Sequence, residues 1–486
     1  MDAIAFEHHL VSPQGAGHVP SGAVTVTTGG GSCCDEITFS VAVEGDHVRD
    51  AGFEAHGCGS AHAAGSAAVE LVRGAPVLAA ARIGAGAIAA ELGGLSPGKL
   101  HAAELAADAL ARALGAAVRR DGRLPHRPGA TLVAMSGGVD SAVAAFLCAE
   151  QSGDAVVAVT LELWADHEHD AERSCCSATA VAQARALAHS MGLAHLTLDL
   201  REEFRAGVVA PFIAGYAAGE TPNPCVGCNG HVRLDAMLEL AERLGCATLA
   251  TGHYARVAEA DDPAGPLLRA AADPAKDQTY MLAALDPGSL ARLRFPLGEL
   301  TKPRVREIAA AAGLPVAAKA DSQDLCFLAG TDRARFLQRH GGIGDAPGEI
   351  VDRAGMVLGT HRGQHRFTVG QRRGLGEVSA RAREPLFVLE KDAETRRITV
   401  GPRTALCTER VRVRGARLRR PGARVDRVKL RYRSTPLPAR VLGDPVEGPH
   451  RLLEIALEEP VDGAAPGQLA CLMDGDLVVG WGTIAR

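Results

Sequence analysis

The sequence predicts an α/β chain built on a doubly wound parallel sheet, with an N-terminal α+β domain before it and two small β domains after it. Three observations carry this. Short apolar runs alternate with helical periodicity between about residues 130 and 257. A breaker-rich segment, DGRLPHRPGA, separates that region from alanine-rich helices. From about residue 347 short strand-like runs with Gly and Pro turns replace the alternation.

The elements follow in order. Residues 1–121 end in alanine-rich helical stretches, and Asp121 to Ala130 reads as a linker because Pro and Gly cannot continue a helix. In residues 128–345, TLVAM is a buried strand, SGGVDS a glycine turn and AVAAFLCAEQ a helix. AVVAVTLELW is the next strand, SATAVAQARALAHSMG a helix and LAHLTLDL a third strand, and the sheet is expected to extend through ATLATGHYARV, Ala247 to Val257. Such sheets bind ligands at the carboxyl ends of their strands. Residues 346–405, with GEIVDRAGMVLG, QHRFTVGQ, LFVLEKD and RRITVGP, and residues 406–486, with RVKLRYR and DLVVGWGTI, read as two β domains of barrel type.

Composition excludes several classes. The chain has 486 residues, 47% hydrophobic and 22% charged, as an ordinary globular chain does. The N-terminus lacks a basic segment followed by an apolar run, and no apolar stretch approaches the ~20 residues of a membrane span. A cytoplasmic location is expected, so the 12 cysteines should be mostly reduced and clustered ones read as ligands or reactive thiols. Charge is uneven: Arg410 to Arg440 holds twelve Arg or Lys and one acid, Asp426, whereas residues 1–120 hold seven basic and twelve acidic. The basic run is a candidate nucleic-acid surface.

The first strong chemistry is MSGGVDSA, Met135 to Ala142. Its glycines leave backbone amides uncovered, and the helix starting near Ser141 adds its N-terminal partial charge, which together make an anion cradle. No Lys-Ser or Lys-Thr follows, so this is not a Walker loop. Ser-Gly-Gly-Val-Asp-Ser after a buried strand resembles the PP-loop of ATP pyrophosphatases of the adenine nucleotide α-hydrolase-like class, which split ATP to AMP and pyrophosphate.

The second is TPNPCVGCNGH, Thr221 to His231. Its prolines exclude helix, whereas Leu234, Met237, Leu238, Ala241 and Leu244 follow at helical spacing, so a helix is expected to begin near Asn229 with Cys228 at its N-terminus. That position favours a thiolate. A zinc half-site, a local disulfide with Cys225 and a nucleophile remain three readings. The adjacent pair Cys175 and Cys176 is poorly spaced for chelation, and an iron–sulfur cluster on Cys225, Cys228 and a distant cysteine stays open. Cys326, in ADSQDLCFLAG, is one such distant cysteine; a buried inert thiol is its other reading.

SGGVDS, TPNPCVGCN, ATGHYAR, KDQTYML, FPLGELTKPRVREIA, KADSQDLCF, FTVGQRRGLG and RYRSTPLP occur in order from about residue 130 to the end, and with them the chain resembles the tRNA-specific 2-thiouridylase family. The resemblance implies a PP-loop domain that uses ATP with Mg2+ to adenylate the C2 oxygen of the wobble uridine, which sulfur then replaces. It implies that Cys326 carries a persulfide and that Cys228 is the nucleophile that frees the sulfur, leaving a Cys228–Cys326 disulfide. Carried over residue by residue, Ala134, Met135, Ser136, Gly137, Gly138, Val139, Asp140, Ser141, Leu161 and Gly252 would contact ATP. Asn223, Pro224 and Cys225 would border the target base, and Lys276, Asp277, Gln278, Arg431 and Tyr432 would contact tRNA. Many relatives have Asp where this chain has Cys225, and some are described with an iron–sulfur cluster and sulfide as donor. A PP-loop ligase acting on a small molecule and a metal-cluster carrier are the rival readings.

Residues 1–121, with SCCDEITF, HGCGSAH and SPGKLHAAEL, resemble the IscU/NifU-type iron–sulfur scaffold family. Cys33, Asp35, Cys58 and His101 match its ligand positions and would hold zinc or an iron–sulfur cluster, whereas Ala102 stands where a third cysteine is expected. The resemblance implies a cysteine desulfurase or a sulfur-relay protein as partner, and makes this domain a relay, a docking module or a degenerate remnant.

Overall fold

A computed structural model describes residues 3–29, 34–152, 155–165, 178–258, 265–320, 325–328, 330–382 and 384–486. Cys33, Cys175 and Cys176 lie outside the described residues.

The N-terminal domain forms from strands Val24–Gly29, Glu36–Glu44 and His47–His56, paired antiparallel in that order. Ile37, Phe39, Val41 and Val43 recur at every second position of the middle strand and are buried, as a half-covered sheet requires. Helices Gly59–Val72 and Leu100–Asp121 cover that face. The second of these, the bridging helix, buries Ala102, Ala106, Ala109, Leu110, Ala113, Leu114 and Ala117. Burial around so much of its circumference means the helix has packing partners on more than one side. One partner is its own sheet, and another is strand Ala194–Asp199 of the next domain. The approach is close: a Cβ on Gly115 would lie 2.1 Å from the Thr197 carbonyl oxygen. That strand is the sheet's edge, and the His195 N–H donates to the Ala81 carbonyl at 2.8 Å, so the N-terminal domain covers it.

Among the described residues the central sheet runs Leu293–Arg294, Cys246–Ala250, Arg127–Ala134, Val156–Glu162, Ala194–Asp199, all parallel. Every residue of Val156–Glu162 is buried, as expected for a strand covered on both faces. Two expectations need correction. The stretch Asp121 to Ala130 is not a free linker: the bridging helix ends at Asp121, the strand starts at Arg127, and Arg123, Leu124 and Arg127 donate backbone N–H groups to Gly45, Arg243 and Gly245. The sheet also does not extend to Val257. It stops at Ala250, and Arg256–Ala258 pairs instead with Leu267–Arg269 in the C-terminal sheet.

The third domain is a four-stranded sheet, Val357–His361, Gly348–Val351, Arg397–Gly401, Phe387–Asp392. QHRFTVGQ, expected as a strand, is a 3-10 turn and loop. The Thr368 N–H is taken by the Gln371 side chain at 3.0 Å, which removes it from any ladder. In the last domain, strands Cys407–Leu418, Gly448–Asp462, Leu437–Val441, Arg427–Lys429, Leu469–Asp474 and Leu477–Ile484 pair in that order, and the last pairs back onto the first. Closure makes a barrel, and the hairpin containing Arg256–Ala258 is added to its Leu477–Ile484 strand. One apolar cluster continues from Phe39 through the bridging helix to Val159, Leu196 and Leu234, so the first two domains share a core. No helix among the described residues is long and apolar enough to cross a membrane.

A candidate nucleotide and sulfur-transfer site

Strand Arg127–Ala134 delivers the glycine turn to the carboxyl edge of the sheet, where helix Val139–Ser152 begins. The turn is tied internally. The Ser136 N–H donates to Ser141 Oγ at 3.0 Å, and that hydroxyl donates to the Gly138 carbonyl at 3.1 Å. Gly252, after the neighbouring strand, sits so close that a Cβ there would lie 2.7 Å from the Ser141 amide nitrogen. Asp140 in the first helical turn would oppose an anion at the amides. It is neutralised: the buried Lys302 ammonium donates to its two oxygens at 2.7 and 2.8 Å, and the Tyr254 hydroxyl at 2.8 Å. The Lys319 ammonium donates to the Gly137 carbonyl at 2.9 Å, which brings a further cation to the loop.

A cavity of about 190 Å³ opens beside this turn. Of the residues assigned to ATP, Ala134, Met135, Ser136, Asp140, Ser141, Leu161 and Gly252 line it. Gly137, Gly138 and Val139 do not, and Val139 packs into the helix core. The sequence reading missed Arg233, Met237, Thr251 and His253, which line the same cavity. His253 was visible as part of ATGHYAR. Burial, with Arg233 nearby, pushes its pKa down to about 3, so it stays neutral, and its Nδ1 lies 2.9 Å from Thr251 Oγ1. Gln278, assigned to tRNA, also lines this cavity and accepts the Tyr254 N–H at 2.9 Å.

The expected helix start near Asn229 is wrong by about a turn and a half. Asn223 is the N-cap, its side chain accepting the Cys225 N–H at 3.1 Å, and Pro224 occupies the first turn. Helix Pro224–Gly227 continues through a π-turn, Cys228–Arg233, into Leu234–Arg243. The thiol in the first turn is therefore Cys225, not Cys228. Cys228 starts the π-turn and is buried, and π-turns are frequent at functional sites. The same turn ends at Arg233 in the cavity wall. Cys326 opens a short 3-10 turn, Cys326–Leu328. The adjacent Phe327 ring stacks edge-on against Phe204 and Phe212, at 5.8 and 5.2 Å. Those rings belong to the helical run Arg201–Ala217, against which the Cys228 turn also packs. The two thiols thus sit on segments that share one packing partner.

The other assigned residues divide. The Asp277 carboxylate is turned inward, bonded to Thr279 Oγ1 at 2.9 and 2.8 Å and to the buried Lys429 ammonium at 3.1 Å, so it joins this domain to the barrel. Lys276 is half-buried. Arg431 is exposed and donates to the Gly463 carbonyl at 2.7 Å, and the Arg433 guanidinium lies 5.4 Å from the Tyr432 ring. The basic run is less free than its count suggests, because Arg414, Arg424 and Arg427 pair with Glu220, Asp474 and Asp426, and Arg419 and Arg420 are buried.

In the N-terminal domain Asp35, Cys58 and His101 converge, with ligand atoms within 4.8 Å of one another. Asp35 accepts the Cys58 N–H at 3.0 Å and its thiol at 3.2 Å. His101 Nδ1 donates to the Gly98 carbonyl at 3.0 Å, which presents Nε2 to Asp35 at 3.2 Å. Burial would raise the Asp35 pKa, but these hydrogen bonds together hold it below the usual carboxylate value. Thiolate, imidazole and carboxylate suit zinc or iron, so the residues fit a metal. Ala102 is wholly buried and adds no ligand.

Residues 130–330 match the tRNA methyl transferase HUP domain family, 5–122 the NifU-like N terminal domain, 334–402 the tRNA methyl transferase PRC-barrel domain and 417–484 the aminomethyltransferase beta-barrel domain. The Bifunctional protein NifU/MnmA of Rubrobacter xylanophilus is 45% identical over 98% of this chain and 97% of its own length. The tRNA-specific 2-thiouridylase MnmA of Rhodospirillum centenum is 44% identical over 73% of this chain and 91% of its own. That of Methylorubrum extorquens is 44% identical over 75% and 96%. The chain belongs to the tRNA-specific 2-thiouridylase MnmA family, in the form fused to an N-terminal NifU-like domain.

Proposed function

We infer that this chain is an ATP-dependent tRNA sulfurtransferase that makes 2-thiouridine at the wobble position. The observation that carries the reading is one helical run: it holds Cys228 at the start of its π-turn and presents Arg233, Leu234 and Met237 to the cavity beside the glycine turn. A thiol and a cavity wall on one helical run suit a reaction in which ATP activates a carbonyl and sulfur replaces its oxygen.

In this reading the amides from Gly137 to Ser141 hold the ATP phosphates, with Mg2+ accompanying them. The C2 oxygen of uridine attacks the α-phosphorus and pyrophosphate leaves. The terminal sulfur of a Cys326 persulfide attacks C2 and AMP departs. The Cys228 thiolate then attacks the Cys326 sulfur, breaking its bond to the transferred sulfur, which remains on C2 as the thiocarbonyl. The product disulfide joins Cys228 and Cys326 and needs a dithiol reductant for the next turnover. Asn223, Pro224 and Cys225 border the base, and Lys276, Arg431 and Tyr432 hold tRNA, chiefly by its phosphates. Asp35, Cys58 and His101 would hold a metal or cluster in the N-terminal domain, which a cysteine desulfurase or relay protein would charge.

The test is nucleoside mass spectrometry of tRNA from cells lacking the gene, complemented by wild type, Cys228→Ala or Cys326→Ala. Loss of 2-thiouridine in the deletion and in both variants is expected. Persistence of 2-thiouridine without the gene, or full restoration by both variants, overturns the reading.

A further inference from the structure

The bridging helix carries a charged side into the central domain. Arg112 on it donates to Glu162, the last residue of strand Val156–Glu162, and to Asp108 at 2.7 Å. Asp108 also accepts Arg185, from the helix that follows the strand, at 2.5 Å. Glu162 and Arg112 are largely buried, with side chains 6% and 15% exposed.

The strand ends at the nucleotide cavity. Successive side chains of a strand point to opposite sides. Val159, Leu161 and Leu163 line the cavity, and Glu162, between two of them, points away from it to meet Arg112. A shift of Glu162 therefore moves the two leucines that flank it. Arg112 belongs to the NifU-like match, Glu162 to the HUP match.

We propose that Arg112, supplied by the N-terminal domain, is a positioning residue for the nucleotide cavity: by holding Glu162 it fixes the carboxyl end of strand Val156–Glu162, so the fused domain is part of the ATP-binding apparatus. This rests on reading that cavity as the nucleotide site.

The charges around Glu162 make the proposal testable by pH. Facing it are Arg112 and Asp108 from the bridging helix, Asp199 from the neighbouring strand and Arg201 from the helix beyond, with Arg185 holding Asp108. Burial raises the Glu162 pKa to about 7, Arg112 opposing the rise and Asp108 adding to it. Without Arg112 the carboxyl is neutral over a wider pH range, and when it ionises the buried charge has lost its hydrogen-bonded guanidinium, with Arg201 left facing it, which a folded chain relieves by displacing the group.

The experiment measures equilibrium binding of ATP to the full chain at pH 6.5 and 8.5, without tRNA or sulfur donor, for wild type, Arg112→Met, Arg112→Lys and Arg112→Met with Glu162→Gln. We expect Arg112→Met to bind ATP roughly tenfold more weakly at the higher pH and by less at the lower. The double variant should regain most of the affinity and lose the pH dependence, and Arg112→Lys should stay close to wild type. A purely structural role of Arg112 would lower thermal stability without this pH-dependent split. Wild-type affinity in Arg112→Met at both pH values overturns the proposal, as does a double variant no better than the single one. If Arg112→Met does not fold, unchanged affinity in Glu162→Ala at both pH values overturns it instead. Absence of ATP binding by wild type overturns the underlying reading of the cavity, a separate outcome.

Discussion

Gly252→Ala should weaken nucleotide binding on the order of 10²-fold while leaving the fold intact. The added methyl would lie 2.7 Å from the Ser141 amide nitrogen, 2.8 Å from the Asp140 carbonyl carbon and 2.9 Å from the Ser141 Cα, against 3.4–4 Å for ordinary contact. All three are backbone atoms, so no side chain can swing aside. The helix start must retreat by roughly 0.7 Å to reach the ordinary range. Overpacking of this kind costs about 1–3 kcal/mol in stability. That is tolerable in a chain with several separate apolar clusters. At the site a cost of the same order falls on binding, because the displaced atoms are amides proposed to hold phosphate, and a misplacement near 1 Å can cost on the order of 10²-fold. The assay is ATP affinity of the purified chain by equilibrium binding, with a thermal melt as control. A variant that binds ATP as wild type does would refute the assignment of this turn as the phosphate cradle. A variant that is unfolded at 25 °C would refute the claim that the methyl acts locally.

Lys302→Met leaves the Asp140 carboxylate without its ammonium partner at the helix start, so ATP affinity should fall at least tenfold. Asp140→Asn added to it should recover part of the loss, and no recovery in the binding assay would count against electrostatic neutralisation as the role of Lys302. Asp277→Asn breaks the buried pair with Lys429 and should lower stability by about 3–5 kcal/mol, read as the shift in the urea midpoint. A stable variant with weakened tRNA binding would return Asp277 to the RNA surface. Glu162 has a folded pKa of about 7, above its ordinary 4.5, so the folded state holds the extra proton and stability falls as pH rises between those values. Glu162→Gln should therefore gain on wild type by up to about 3 kcal/mol between pH 5 and pH 8, and parallel urea curves at the two pH values would exclude it.

Much of the central domain was legible because parallel strands buried on both faces read as uninterrupted apolar runs, and Val156–Glu162 is such a run. The glycine turn was legible because its order, Ser-Gly-Gly-Val-Asp-Ser, leaves few alternatives after a strand. The helix start at Asn223 was misread because Pro224 looked like a breaker, although proline is well tolerated in a first turn. Arg233 and Met237 were out of reach for a different reason. They enter the cavity through the fold of a helix whose phase depends on the π-turn, and no local pattern signals an extra residue in a turn. Asp277 illustrates the converse: its motif named it, but its partner Lys429 lies across a domain boundary and only packing reveals the pair.

The boundary at Asp121 is where composition and structure diverge most, and the reason bears on how the fused domain works. Breakers at Gly122, Pro125 and Pro128 end a helix and suggest a tether, which a sulfur-delivering module would need if it swung between partners. The residues around them are instead bonded to the backbone of both domains, the bridging helix lies on strand Ala194–Asp199 with a glycine at the contact, and the His195 N–H on that strand's edge donates to the domain's Ala81 carbonyl. A shared apolar core cannot swing without exposing Leu196, Leu198 and Leu114, each worth about 1.5–3 kcal/mol of burial. Several such residues exceed what a mobile interface can lose in each cycle, so the domain stays seated on that strand. The fused domain is thus better placed to shape the nucleotide cavity through Arg112 than to travel to it.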